Sequence, residues 1–189
     1  MSRRVPARRA ARAGGLLFPL DAIYARAGVR PPAARRIRSQ NIPVPYRALL
    51  DHEGGMTATL ERSIGGRVNL RILSSHTSGA WYLRRVLLVD PRTGRPLIMG
   101  AVRVKLDDFS ARVQAKILCG AVPLGRILDS RGAEYASRPR VFLAVTPNSE
   151  MMGVFWMRKP QTLYGRQTEV FHYGRKIGDI VEVLPPFYE

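Results

Sequence analysis

One carboxylate stands out near the end of the chain. Residues 163–186 read LYGRQTEVFHYGRKIGDIVEVLPP, and Glu182 lies among Ile180, Val181, Val183 and Leu184. An ionised acid in so apolar a strand is costly unless a cation pairs with it or the chemistry uses it; on an edge strand it would simply face water. Three other places could complete a site with it. In YLRRVLL, residues 82–88, Arg84 and Arg85 fall on opposite faces of a strand. If helices cover one face, one of the two points inward, and a buried arginine wants a carboxylate from the protein or from a ligand. Pro123-Leu124-Gly125-Arg126 reads as a loop entering a helix, where free backbone N–H groups can hold an anion. Met56 follows the pliable pair Gly54-Gly55; it either fills core space or closes over a flat ring.

Other chemistries lack their residues. There is no GxSxG, no phosphate-binding Walker loop and no GxGxxG after a strand. The single cysteine, Cys119, allows no intrachain disulfide, which fits a reducing cytoplasm. His52, His76 and His172 match no zinc spacing, so neither metal nor cofactor is expected. Apolar runs are strand-sized, and no membrane span is expected.

The net charge of +17 comes from arginine, with 27 Arg against 4 Lys. Ten of those arginines lie in residues 1–40, with Asp21 as the one acid there. A nucleic acid or anionic surface could be met by this segment, but no nucleic-acid motif accompanies it, and a coding bias toward Arg and Ala explains it more simply.

The elements that must position these residues can be read in order. Residues 1–44 are expected as a basic Arg/Pro/Ala-rich extension: disordered to residue 15, a short helix at 16–28 docking on the domain, then a linker at 29–43. The domain is expected over 45–189. Residues 57–64 read as a helix stopped by Gly65-Gly66. Val68, Leu70 and Ile72 alternate with polar residues as a strand, SSHTSG is a loop, and strands follow at 81–90 and 97–106 around PRTGRP. Asp107 is expected to cap a helix running to Leu118, and Pro123 to open another. A strand at 140–145, a short helix after Pro147 and a closing hairpin turning at Gly174 complete an α+β domain with an antiparallel sheet covered by helices.

Four motifs, in this order, resemble the chorismate lyase-like family over residues 45–186: LLDHEGGMTATLE, WYLRRVLLVDPRTGRPLIMG, PLGRIL and LYGRQTEV…GRKIGDIVEVLPP. The resemblance implies helices on one face of the sheet enclosing a ligand cavity. It implies Met56 as a ring-covering residue, Arg84 as the carboxylate-binding arginine, the Leu124 backbone as an anion donor and Glu182 as the acid/base. Where the family usually has Glu after the strand Arg, this chain has Arg85, which leaves open which of the two arginines enters the cavity.

The function so implied is a cofactor-independent lyase that eliminates pyruvate from chorismate to leave 4-hydroxybenzoate. Glu182 and Arg84 would be catalytic, and Met56, Arg84 and Leu124 would bind the substrate. Positioned proton transfer by Glu182 would contribute about 10² to 10⁴ in rate. The alternatives are a non-catalytic binder of small aromatic acids with the same fold, or a lyase on a related aromatic carboxylate. Fold likeness alone does not choose among them.

Overall fold

Alternating apolar residues make the strands of this protein, and the antiparallel pairing of those strands makes one sheet. The computed structural model describes residues 15–130 and 135–187. In chain order they form α1 (Leu20–Arg26), β1 (Ala33–Ile37), α2 (Val44–Leu50), α3 (Met56–Ile64), β2 (Asn69–Ser78), β3 (Trp81–Val89), β4 (Pro96–Lys105), α4 (Ala111–Cys119), α5 (Leu124–Asp129), β5 (Tyr135–Thr146), α6 (Ser149–Val154), β6 (Leu163–His172) and β7 (Arg175–Val183). The strands form a seven-stranded sheet in the order β1-β5-β6-β7-β4-β3-β2, and every neighbouring pair is antiparallel. The class is α+β, as expected. No helix among the described residues is long and apolar enough to cross a membrane.

Alternation along the strands gives the sheet two buried faces. On one, Leu83, Leu87, Met99, Leu143, Val181 and Val183 pack under α1 and α6 through Leu20, Ile23, Tyr24, Met151 and Phe155. On the other, Tyr82, Val102 and Val104 pack under Val113 and Ile117 of α4 and Leu124, Ile127 and Leu128 of α5, while Leu88 and Ile98 pack under Leu50 of α2 and Met56 and Leu60 of α3. Helices α2–α5 thus cover the face expected to hold a cavity, and α1 and α6 add a layer behind it.

Three sequence expectations change here. Residues 29–43 are not a linker: β1 pairs with β5 from Ala33↔Thr146 to Ile37↔Phe142, and Ile42 is buried. With α1 in the core, the folded body begins well before Pro45. Seven residues make no stable helix alone, but burying Leu20, Ile23 and Tyr24 contributes about 1.5–3 kcal/mol each. The arginines disguised β1, because an edge strand tolerates charge on its solvent side. Residues 1–14, expected to be disordered, lie outside the described residues. The second change is in SSHTSG, which extends β2 through Ser78 along β3. The helix expected from Asp107 is a 3-10 turn over Leu106–Asp108 followed by α4, with Ser110 at its N-cap position.

The closing hairpin forms as expected. Tyr173 and Gly174 both take positive φ, at 46° and 77°, the signature of a two-residue turn whose twist suits the strands. His172 pairs with Arg175 across it, and a register shift follows between Val170 and Phe171.

Candidate functional site

Two cross-strand rows form the floor of a cavity. In the first, Arg84 of β3 pairs with Val102 of β4, Val102 with Ile180 of β7, and Ile180 with Thr168 of β6. In the second, Val86 pairs with Gly100, Gly100 with Glu182, and Glu182 with Arg166. All eight residues line the same hollow, roofed by Gly54, Gly55, Met56 and Thr57 and by Pro123, Leu124, Gly125 and Leu128. The missing side chain of Gly100 deepens the floor beside Glu182: a Cβ there would meet Val86 at 3.3 Å. On the roof, a Cβ on Gly125 would meet the Thr57 hydroxyl at 2.9 Å, so that glycine lets α5 approach α3. The cavity offers about 60 Å³ to the centre of a water-sized sphere. A cavity that takes one benzene ring measures about 150 Å³, so the lining must give way before even a small ring enters.

The structure brings Met56, Arg84, Leu124 and Glu182 together around this space. Met56 is the first residue of α3 and is buried. Leu124 is the first residue of α5, where backbone N–H groups have no intrahelical carbonyl. Alternation decides between the arginines. Arg84 points into the cavity and is 1% exposed. Arg85 points to the opposite face, pairs with Glu150 of α6 and lies 4.9 Å from the Tyr24 ring centre.

Arg84 is a buried cation with little compensation. One terminal nitrogen donates to the Ile117 carbonyl at 3.4 Å, and Nε has no hydrogen-bond partner. Among the described residues, no carboxylate forms an ion pair with it. Burial lowers its pKa from the usual arginine value, and the neighbouring Tyr82 hydroxyl offsets this only in part.

Glu182 is different: it already has its cation. Arg166 Nε donates to Glu182 Oε2 at 2.7 Å, and the rest of that guanidinium donates to the carbonyls of Leu50 (3.1 Å), His52 (2.9 Å) and Gly54 (3.2 Å). Arg166 therefore ties the carboxylate on the floor to the loop that leads into Met56. Sequence reasoning quoted Arg166 but gave it no role, and it passed over Thr168. Strand alternation puts Arg166 and Thr168 on one face of β6, and the register of β6 on β7 makes that face the cavity's. Among the described residues, no group of three or more His, Cys, Asp or Glu side chains is placed to hold a metal ion.

No family profile and no curated protein matches this sequence. Among solved structures, the ligand-binding domain of a protein assigned to the GntR family of transcriptional regulators from Bordetella bronchiseptica is similar. Its TM-score is 0.47 and its identity 13%, over 64% of this chain and 87% of that one. PhnF from Mycobacterium smegmatis gives a TM-score of 0.48 at 11% identity, over 70% of this chain and 64% of that one. A transcriptional regulator from Streptomyces coelicolor, so described, gives 0.46 at 13%, over 65% and 90%. With identities of 11–13% and TM-scores below 0.5, these are likenesses over part of the chain. None of them singles out a chorismate lyase.

Proposed function

We propose that this protein binds a small carboxylic acid in the cavity between the sheet and helices α3 and α5, with the acid's carboxylate on Arg84. The observation that carries this reading is the state of Arg84: buried, facing the cavity, and without a carboxylate from the described residues. A guanidinium so placed is costly alone and is compensated by a ligand anion that its planar fork can hold in two hydrogen bonds. The Leu124 N–H at the start of α5 supplies a further donor, and Met56, Val86, Val102 and Ile180 supply apolar walls for a ring. The test is calorimetric titration of the full chain with benzoate and 4-hydroxybenzoate. Binding by the wild type and its loss in Arg84→Met, with the melting transition intact, supports the reading. Equal binding by both proteins removes it.

A second reading, elimination of pyruvate from chorismate, has one observation in its favour: Glu182 faces the same cavity as Arg84. Two observations weigh against it. Chorismate carries two carboxylates, and the second buried cation, Arg166, is already held by Glu182 and three carbonyls. Chorismate, whose ring carries an enolpyruvyl ether besides its carboxylate and hydroxyl, is also larger than a hydroxybenzoate, so the Gly54-Gly55 roof would have to move further for it. Release of pyruvate from chorismate by the wild type and not by Glu182→Gln would establish the reaction. Because Glu182 neutralises Arg166, that variant needs a melting curve beside it.

A further inference from the structure

The end of the cavity opposite Arg84 has its own chemistry. Thr168 is 2% exposed, and its hydroxyl has no hydrogen-bond partner. Its cross-strand neighbours, Ile180 on β7 and Pro139 on β5, carry no polar side-chain group, and the proline has no N–H. Of the two buried hydroxyls without a partner among the described residues, Ser74 and Thr168, only Thr168 lines the cavity. A buried hydroxyl left unpaired is costly, so this one is placed for something that enters. Arg84 and Thr168 stand in one row across β3, β4, β7 and β6. At ordinary strand spacing their backbones are about 14 Å apart, and apolar Val102 and Ile180 lie between them.

The charges of the lining also add up. Arg84, Arg166 and Glu182 are its only ionisable side chains among the described residues. They leave one net positive charge, and it belongs to Arg84.

Resting on the reading that Arg84 holds a carboxylate, we infer that Thr168 reads the other end of the ligand. The cavity takes a singly charged acid whose far end carries a hydroxyl or carbonyl that hydrogen-bonds the Thr168 hydroxyl across an apolar middle. A second carboxylate at that end would find no free cation and would be desolvated at a loss. Thr168 is in this sense a specificity-determining residue. It touches the ligand's polar tip and leaves the carboxylate to Arg84.

The experiment is calorimetric titration of the full-length wild type, Thr168→Val and Thr168→Ser with benzoate, 4-hydroxybenzoate and terephthalate, with a melting curve for each protein. The wild type should bind 4-hydroxybenzoate about tenfold more tightly than benzoate, the factor one well-formed hydrogen bond supplies. It should bind terephthalate at least about tenfold more weakly than benzoate. Thr168→Val should lose the preference between the two monoacids, and Thr168→Ser should keep it. Arg84-dependent binding of benzoate without a hydroxyl preference, or a preference that survives in Thr168→Val, overturns this inference and leaves the carboxylate reading standing. Terephthalate bound as tightly as benzoate overturns the single-charge part. Failure of the wild type to bind any of the three overturns both.

Discussion

Arg84 and Arg85 are adjacent in the sequence and have opposite fates. Arg85 faces the α1/α6 side of the sheet, where the buried charges are settled within the protein. It pairs with Glu150 beside Tyr24, and on the same face Arg103 donates to Asp179 at 2.8 Å and lies over the rings of Trp81 and Phe18. Arg84 faces the α3/α5 side, where Arg166 consumes the one carboxylate of the lining and Arg84 is left over. The pKa directions follow. Burial lowers the Arg85 pKa, but Glu150 and Tyr24 more than offset it and leave the group raised; Arg84 is left lowered. One face is built to be finished at folding. On the reading proposed above, the other is finished when an anion arrives.

The largest effect expected from this contrast is at Glu182. Glu182→Leu would leave Arg166, 1% exposed, as a buried cation with only backbone carbonyls around it. Breaking a buried pair in this way costs about 3–5 kcal/mol, which for a domain of this size is roughly 10 °C in melting temperature. Asp179→Leu on the other face should cost less, because Arg103 is 24% exposed and keeps its two ring contacts. Urea melts of both variants compare the faces directly. If Glu182→Leu is the milder of the two, the Arg166–Glu182 pair does not hold the cavity wall.

A smaller and sharper pair of changes is Arg84→Met and Arg85→Met. Replacing an uncompensated buried charge by an apolar side chain of similar length stabilises a protein, so Arg84→Met should raise stability by about 1–2 kcal/mol while removing acid binding. Arg85→Met removes a partly buried pair and its ring contact, and should lower stability by about 1 kcal/mol. Opposite signs at adjacent positions, read from denaturant midpoints at constant m, are the expected result. The same sign at both would mean that Arg84 is already compensated within the protein.

Much of this contrast was legible in the sequence. Strand alternation put Arg84 and Arg85 on opposite faces, and the motifs placed Met56, Leu124 and Glu182 around one space. Which arginine entered the cavity depended on which face received α3 and α5, and no local pattern states that. Arg166 was hidden by register. Counting back from the His172↔Arg175 pair sets Arg166 opposite Val181, on the wrong face for Glu182. The one-residue shift between Val170 and Phe171 moves it opposite Glu182, and a slip of one flips every side chain. Residues 33–37 were hidden by composition, since two arginines and a preceding Pro31-Pro32 read as linker until a partner strand is known. α1 was visible as a short helix because its apolar residues recur at helical spacing.

The smallest effect distinguishes the finished face by pH. Lys176, at the β6–β7 turn, pairs with Glu169 at 2.7 Å and Asp179 at 2.6 Å. Burial lowers its pKa, but the hydrogen bonds and charges of Asp179 and Glu169 more than offset that, and the group ends raised from 10.5. A lysine whose folded pKa exceeds its unfolded one adds stability that is complete below the unfolded value and fades as pH rises through the folded one. The wild type should therefore lose stability more steeply above about pH 10.5 than Lys176→Met, with the two curves parallel at neutral pH. Because the side chain is 39% exposed, the difference should be small and should shrink further with added salt. The salt dependence separates this pair from the Arg166–Glu182 pair, whose guanidinium and carboxylate are 1% and 12% exposed and should be far less sensitive to it. Curves that stay parallel through the alkaline range would show that the Lys176 contacts contribute nothing to folding, and that the α1/α6 face holds its charges by packing and by the Arg85 and Arg103 pairs alone.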